Sequence, residues 1–221
     1  MPDFDEREFN NLKQQLIKNR RGYLVTKRII DIIGASIGLL FCTPVVLIIM
    51  LLIKIENPNG PVIFTQVRCG EYPKKFKMYK FRSMYVDAEK QLYKVIHLNE
   101  QTGPVFKMKD DPRITRVGRI IRKTSLDEIP QLINVIKGEM SLVGPRPALP
   151  REVKEYNQYQ MKRLLVKPGL TCIWQVSGRN SIGFNEWVNL DINYIENRSL
   201  LLDIKLIIKT IPVLLGDKNA S

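Results

Sequence analysis

The sequence predicts an α+β protein, mostly helical, with an apolar N-terminal membrane helix, one small β-hairpin and several surface amphipathic helices. Three observations predict it. Residues Ile32 to Ile53 carry no charge, and a bilayer needs about 20 such apolar residues to be crossed. VIFTQV and KFKMYKF alternate apolar and polar residues on either side of a glycine-containing turn, the period of two of half-buried strands. Most of the chain beyond the hairpin spaces its apolar residues at the helical period, between glycine and proline punctuation.

Residues 1–25 form a polar N-terminal extension with scattered apolar positions, suited to a short helix lying against a bilayer or a partner. Residues 26–56 hold the apolar run. A secretory signal does not fit, because the run starts late, is too long and lacks a small-residue cleavage site. Lys27 and Arg28 precede the run, and Lys54, Arg68, Lys74, Lys75, Lys77 and Lys80 follow it. Both flanks therefore belong on the cytoplasmic side. Thr43-Pro44 falls near the middle, where proline removes a backbone donor. Two readings stay open: a helix that bends at Pro44 and leaves by the face it entered, or a kinked helix that spans.

Residues 57–216 form the main domain, a candidate catalytic unit with interfacial helices, and 217–221 a short tail. After the hairpin, VDAEKQLYKVIHL reads as helix. DDPRITRVGRIIRKTSLDEIPQLINVIKG gives a turn, a basic helix and a second helix ending at Gly138. SLVGPRPALP is an extended, proline-punctuated loop. EYNQYQMKRLL and NEWVNLDINYIEN read as helices, with VKPGLTCIWQVSGRN between them as loop or short strand. SLLLDIKLIIKTIPVLLG suits a helix in the membrane interface.

The chain of 221 residues has 35 Lys and Arg against 22 Asp and Glu, a net charge of +13. Such a surplus implies anionic company: nucleic acid, lipid headgroups or phosphorylated substrates. Cys42, Cys69 and Cys172 lie far apart without metal-ligand spacing and read as free thiols. His97, the one histidine, has no partner pattern around it. Histidine-based triads and most zinc sites are thereby disfavoured, and carboxylates, basic side chains and a hard metal are left for any chemistry.

The stretch RKTSLDEIPQLINVIKGEMSLVGPRP is the most informative. Pro130 suits a first helical turn, so a helix should begin near Asp127 and Glu128. One reading is plain capping, since Ser125 and Glu128 fit a capping box. The other is chemical: a helix start favours anions, adjacent carboxylates can hold Mg²⁺ beside substrate phosphates, and one of them can attack phosphorus. Arg146, between two prolines, has its backbone fixed and its guanidinium aimed, a fork suited to phosphate. Arg122, five residues before Asp127, can bind phosphate or pair with an acid. Asp191 is a plausible partner for it, or one residue of a solvated helix face. Lys80 and Arg82 reach phosphates or headgroups, or lie on a solvated strand face. Gln175 and Arg179, with Ser177 and Trp174 nearby, make a candidate nucleotide- or sugar-binding loop.

Read together, KRIIDIIGASIGLLFCTPV, GPVIFTQVRCG, FKMYKFRSM, SLDEIPQLINVIKGEMSLVGPRP, KPGLTCIWQVSGRN and LDINYI resemble the bacterial polyprenyl-phosphate sugar-phosphate transferases. These are the small monotopic phosphoglycosyl transferases, and the resemblance covers residues 26–216. It implies that Asp127 attacks the sugar-bearing phosphorus of a UDP-sugar and releases UMP. Undecaprenyl phosphate then takes the sugar phosphate from Asp127. Glu128 is expected to help hold Mg²⁺ or to assist the proton of the incoming lipid phosphate. The resemblance makes Arg146 a phosphate-binding residue and Arg122 and Asp191 a pair tying the dyad helix to the fold. It makes the first helix re-entrant, broken at Thr43-Pro44, with the protein on the cytoplasmic face of the bacterial cytoplasmic membrane among its phospholipids.

Two positions depart from the pattern: Thr43 stands where serine is frequent, and Cys172 where glycine often does. The resemblance also allows a homodimer. NEQTGPVFKMKDDPRIT resembles family members acting on glucose or galactose. The rival reading is a membrane-tethered basic protein that binds anionic lipid or nucleic acid. Nucleic acid is disfavoured because no binding module is recognisable and the basic residues cluster near the apolar run.

Overall fold

The computed structural model describes residues 5–18, 20–177 and 182–214. The chain opens with α1 (Glu6–Lys18) and α2 (Arg21–Glu56) and turns into the hairpin β1 (Ile63–Cys69) and β2 (Lys75–Phe81). A short α3 (Leu92–Val95) leads to α4 (Arg116–Lys123), a 3-10 turn over Leu126–Glu128, and α5 (Gln131–Lys137). Then come β3 (Ser141–Val143), α6 (Pro150–Val153), α7 (Gln158–Met161), β4 (Gly169–Thr171) and α8 (Ile173–Val176). α9 (Phe184–Asn197) and α10 (Leu200–Leu214) complete the described chain.

The predicted hairpin is present, antiparallel, with Ile63 opposite Phe81 and Cys69 opposite Lys75. Its alternation turns Phe76 and Met78 inward onto α5 and the buried Ala35 of α2. Asn134 of α5, wholly buried, accepts from the Tyr79 amide at 3.0 Å and donates to the Lys77 carbonyl at 2.8 Å. The buried amide thus pins helix to strand with its polar atoms satisfied.

α2 is a single helix of 36 residues, about 54 Å long at the α-helical rise. The helix runs through Pro44 with no loop or unwound turn dividing it. The Thr43 hydroxyl donates to the Leu39 carbonyl at 2.9 Å, back-bonding to the turn where proline cannot donate. Both ends of α2 are fastened to the same body. Near its start, Arg28 donates to the Val135 and Ile136 carbonyls at 2.6 Å each, in the last turn of α5. Asp31, buried, accepts from the Ser141 hydroxyl at 3.0 Å and the Leu142 amide at 2.9 Å. Near its end, Ile49 and Ile53 pack with Phe81 and Ile121, and Glu56 accepts from the Arg116 amide at 2.8 Å.

Between these anchors Ala35 and Leu39 pack against the body, and the opposite face of the helix is bare. Leu40, Phe41, Leu47 and Leu51 are each more than 60% exposed, an apolar patch that a water-facing surface rarely carries. α2 is long and apolar enough to cross a membrane. α10 likewise exposes Leu201, Ile204, Ile208 and Ile211 beside Lys205 and Lys209, the mixed face expected of an interfacial helix.

The extended loop predicted over residues 141–150 begins as β3, which pairs in parallel with β4, Ser141 against Gly169 and Val143 against Thr171. Gly144 and Gly169 meet back to back, and a Cβ on Gly169 would lie 2.0 Å from the Gly144 nitrogen. Only glycine lets two backbones approach this closely.

Candidate active site

Strand alternation carries Lys80 to the site. It shares the Phe76 and Met78 face of β2, which looks at α5 and the turn preceding it, so it is not on a solvated strand face. Its ammonium lies 2.6 Å from Glu128 Oε1 and 3.6 Å from Asp127 Oδ2. The two acids lie on the 3-10 turn Leu126–Glu128, and α5 starts only at Gln131, with Pro130 before it. The expected helix start is therefore a tighter turn, entered through Ser125 at φ 54°. The Ser125 side chain makes no capping bond there, so the capping-box reading is not realised. Leu126 packs into the cluster that holds Ile49 and Ile53 of α2, which places Asp127 one residue from a side chain packed on the long apolar helix.

Asp127 is buried. Burial raises its carboxyl above the usual carboxylate range and Glu128 adds to the shift, while Lys80 and Arg122 oppose it. An acid whose burial is opposed by specific cations at the edge of a cavity is a functional-site candidate. It opens on a cavity of about 680 Å³ that Lys80, Arg82, Arg122, Arg146, Gln175 and Glu128 also line. That volume is in the range of small-molecule sites.

The GPRP loop is built as the two prolines predict. Pro145 and Pro147 are buried, and Arg146 between them projects into the open cavity and over the Trp187 ring, 5.6 Å from its centroid. Sequence reasoning passed over Arg68 as a flanking charge. It is buried in the cavity wall, donating to the Pro147 carbonyl at 3.0 Å and to Gln66 Oε1 at 2.6 Å. Burial, with Arg146 beside it, lowers its pKa to about 10. A cavity that crowds guanidiniums so closely is built for a polyanion. The signal in sequence was weak, since arginine within an amphipathic strand is ordinary.

The other predicted residues divide. Arg122 lies in the cavity wall, where its charge acts on Asp127 and on Asp111. The expected Arg122–Asp191 pair is corrected: Asp191, fully buried, pairs with Arg163 at 2.8 Å through both Nε and an Nη. Asp191 is thus neither on a solvated face nor next to Asp127. Arg82 reaches the cavity, but its Nε donates to the Pro61 carbonyl at 2.7 Å. Gln175 accepts from the Cys172 thiol at 3.2 Å. Arg179 lies outside the described residues.

With this geometry in place, comparison with known proteins is decisive. The bacterial sugar transferase model matches residues 22–217. The chain belongs to the bacterial sugar transferase family. The chain is 46% identical to the galactosyl transferase CpsE of Streptococcus agalactiae, over 94% of its own length and 49% of the relative's. It is 42% identical to the undecaprenyl-phosphate galactose phosphotransferase of Salmonella typhimurium, over 95% of itself and 44% of the relative. To the exopolysaccharide production protein ExoY of Rhizobium meliloti it is 40% identical, over 85% and 84% respectively. The chain thus spans about half the length of the first two relatives and most of ExoY.

Proposed function

We propose that this sugar transferase moves a sugar 1-phosphate from a UDP-sugar to undecaprenyl phosphate in two displacements at one carboxylate. An Asp127 oxygen attacks the sugar-bearing phosphorus, the bond from that phosphorus to UMP breaks, and UMP leaves. An oxygen of the lipid phosphate then attacks the same phosphorus, and the Asp127–phosphorus bond breaks. The carboxylate is regenerated, and the product is a diphosphate-linked lipid sugar. The observation that carries this reading is the position of Asp127. It faces a cationic cavity sized for a nucleotide-sugar, yet sits one residue from a leucine packed on the membrane helix. A soluble donor and a bilayer acceptor can both reach such a group.

Arg146 and Arg122 suit the diphosphate by their charge and fork geometry. Lys80 holds the dyad and opposes the cost of ionising Asp127. Asp127 and Glu128, adjacent and open to the cavity, fit Mg²⁺, which takes one or two carboxylates and completes its shell with phosphate and water oxygens. When bound it supplies charge neutralisation to the diphosphate. The fastening of both α2 ends to one body supports a re-entrant placement, with flanks and active site on the cytoplasmic face.

The test supplies purified protein with undecaprenyl phosphate, Mg²⁺ and a panel of UDP-sugars. UDP-galactose leads the panel, because the relatives' names specify galactose. UMP that forms only with lipid present, together with lipid-linked sugar, is the expected result. UMP without lipid product would indicate a hydrolase, and silence across the panel would favour a binding protein.

The Asp127 shift sets a pH dependence. The attacking form is ionised, so the acid limb of the rate should lie above the ordinary aspartate value of about 4. Lys80→Met removes the largest influence opposing the shift and should move that limb to higher pH as well as lowering the plateau. A pH–rate profile of both proteins checks this, and an unmoved limb would show that Lys80 does not tune the carboxyl.

A further inference from the structure

Outside the active-site cavity, the outer face of α4 stands apart. Its exposed side chains are Arg116, Arg119, Ile120 and Lys123, with Ile120 65% exposed. Among the described residues, no carboxylate lies within ion-pair distance of any of the three cations. Of the neighbouring acids, Glu56 accepts from the α4 backbone, and Asp111 is bound by Arg113 at 2.6 Å. Beside these cations runs a groove of about 580 Å³ whose other walls are Tyr85, Pro112, Ile114 and Ile120. The result is an apolar floor under a cationic rim.

Its position gives it meaning. Glu56, the last residue of α2, caps the start of α4, and Ile121 on the inner face packs against Ile49 and Ile53. α4 therefore begins where the apolar helix ends, beside the exposed Ile55 and Leu51. That is headgroup depth on the membrane reading proposed above, on which this inference rests.

We propose that the α4 groove holds an anionic phospholipid, its phosphate among Arg116, Arg119 and Lys123 and the upper part of an acyl chain along Ile120 and Ile114. An anionic lipid complements three unpaired cations, and a zwitterionic one brings its own cation to the same place. Binding here would seat the molecule at a fixed depth and tilt, through a surface that takes no part in the transfer.

The test measures retained lipid rather than turnover, so it stands or falls apart from the proposed reaction. Full-length protein in detergent is given equal amounts of phosphatidylglycerol and phosphatidylcholine, gel-filtered, and its bound lipid measured by mass spectrometry. Wild type should retain phosphatidylglycerol preferentially, and added salt should weaken the preference. Replacing Arg116, Arg119 and Lys123 together by glutamine should cut the preference at least about fivefold, the effect of roughly one basic residue at a membrane surface. Thermal melting and gel-filtration elution like those of wild type show that the variant is folded. Lys205→Gln with Lys209→Gln, on α10, should leave the preference intact. No preference in wild type overturns the proposal whatever the variants do. A preference that survives the α4 substitutions, or is lost with the α10 pair instead, overturns it too. Unchanged retention with a raised KM for undecaprenyl phosphate would assign the groove to the acceptor.

Discussion

Asp127→Asn is expected to lower sugar-phosphate transfer by at least about 10⁴-fold while the protein remains folded and membrane-bound. Asparagine keeps the shape of the side chain and lacks the oxygen anion that attacks phosphorus. Binding of UDP-sugar should survive, because Arg146 and Arg122 are untouched. The same substitution carries a stability signature. Burial is the leading cause of the raised Asp127 pKa, so the folded chain holds that proton more tightly than the unfolded chain does. The stability this contributes is fully present below the ordinary carboxylate value and is lost as pH rises through the raised one. The asparagine side chain does not titrate and has no such loss. The variant should therefore melt no lower than wild type at pH 8, with wild type gaining relative to it on acidification. Melting curves at several pH values check the sign. A variant with native melting and retained activity would exclude Asp127 as nucleophile.

The second large effect lies away from the chemistry. Asp191→Ala should destabilise the fold by about 3–5 kcal/mol, the usual cost of stranding one partner of a buried ion pair. The Arg163 guanidinium is 3% exposed, donates to the Tyr156 hydroxyl at 2.6 Å and stacks on Trp187 at 4.9 Å. Without Asp191 it loses the carboxylate it is bonded to, and the weaker charge influence of Glu152 is left to oppose its burial. For a chain this long, the melting temperature should fall by roughly 10 °C. Replacing both partners by apolar residues, Arg163→Met with Asp191→Leu, should recover much of the loss, since the pair's own burial is costly. Trp187 touches both Arg163 and Arg146, so the single variant should also lose affinity for the donor. Calorimetry of both variants, and donor binding at a temperature where each is folded, test this.

What the sequence made legible was local. The hairpin, α4, α5 with its Gly138 end, α9 and α10 follow from apolar periods and terminators, which are short-range signals. Arg146 was legible because two prolines fix their own backbone. The parts that went unread depend on contacts between distant residues. β3 and β4 are three residues each, and their parallel pairing rests on Gly144 meeting Gly169 across 25 positions of chain. Arg163 looked like any cation of a short amphipathic helix, so the true partner of Asp191 left no trace in spacing. Asp31, next to the uncharged run, could have been suspected, since an acid there needs a buried donor; Ser141 and the Leu142 amide supply it. Pro44 shows the converse. Its local rule predicts a break, yet α2 stays helical through it, with the Thr43 hydroxyl bonded back to Leu39 and both ends of the helix anchored.

The proposed mechanism depends on a covalent phosphosugar at Asp127, and intact-protein mass spectrometry would detect that species itself. Wild type and Asp127→Asn are each mixed with the UDP-sugar and Mg²⁺ found active in the panel, with no lipid acceptor, and quenched within seconds. The expected result is up to one equivalent of UMP and one sugar phosphate added to wild type, removed again when undecaprenyl phosphate follows, with no adduct on the variant. No adduct on a wild-type protein that turns over with lipid, or an equal adduct on Asp127→Asn, would refute the covalent step at this residue.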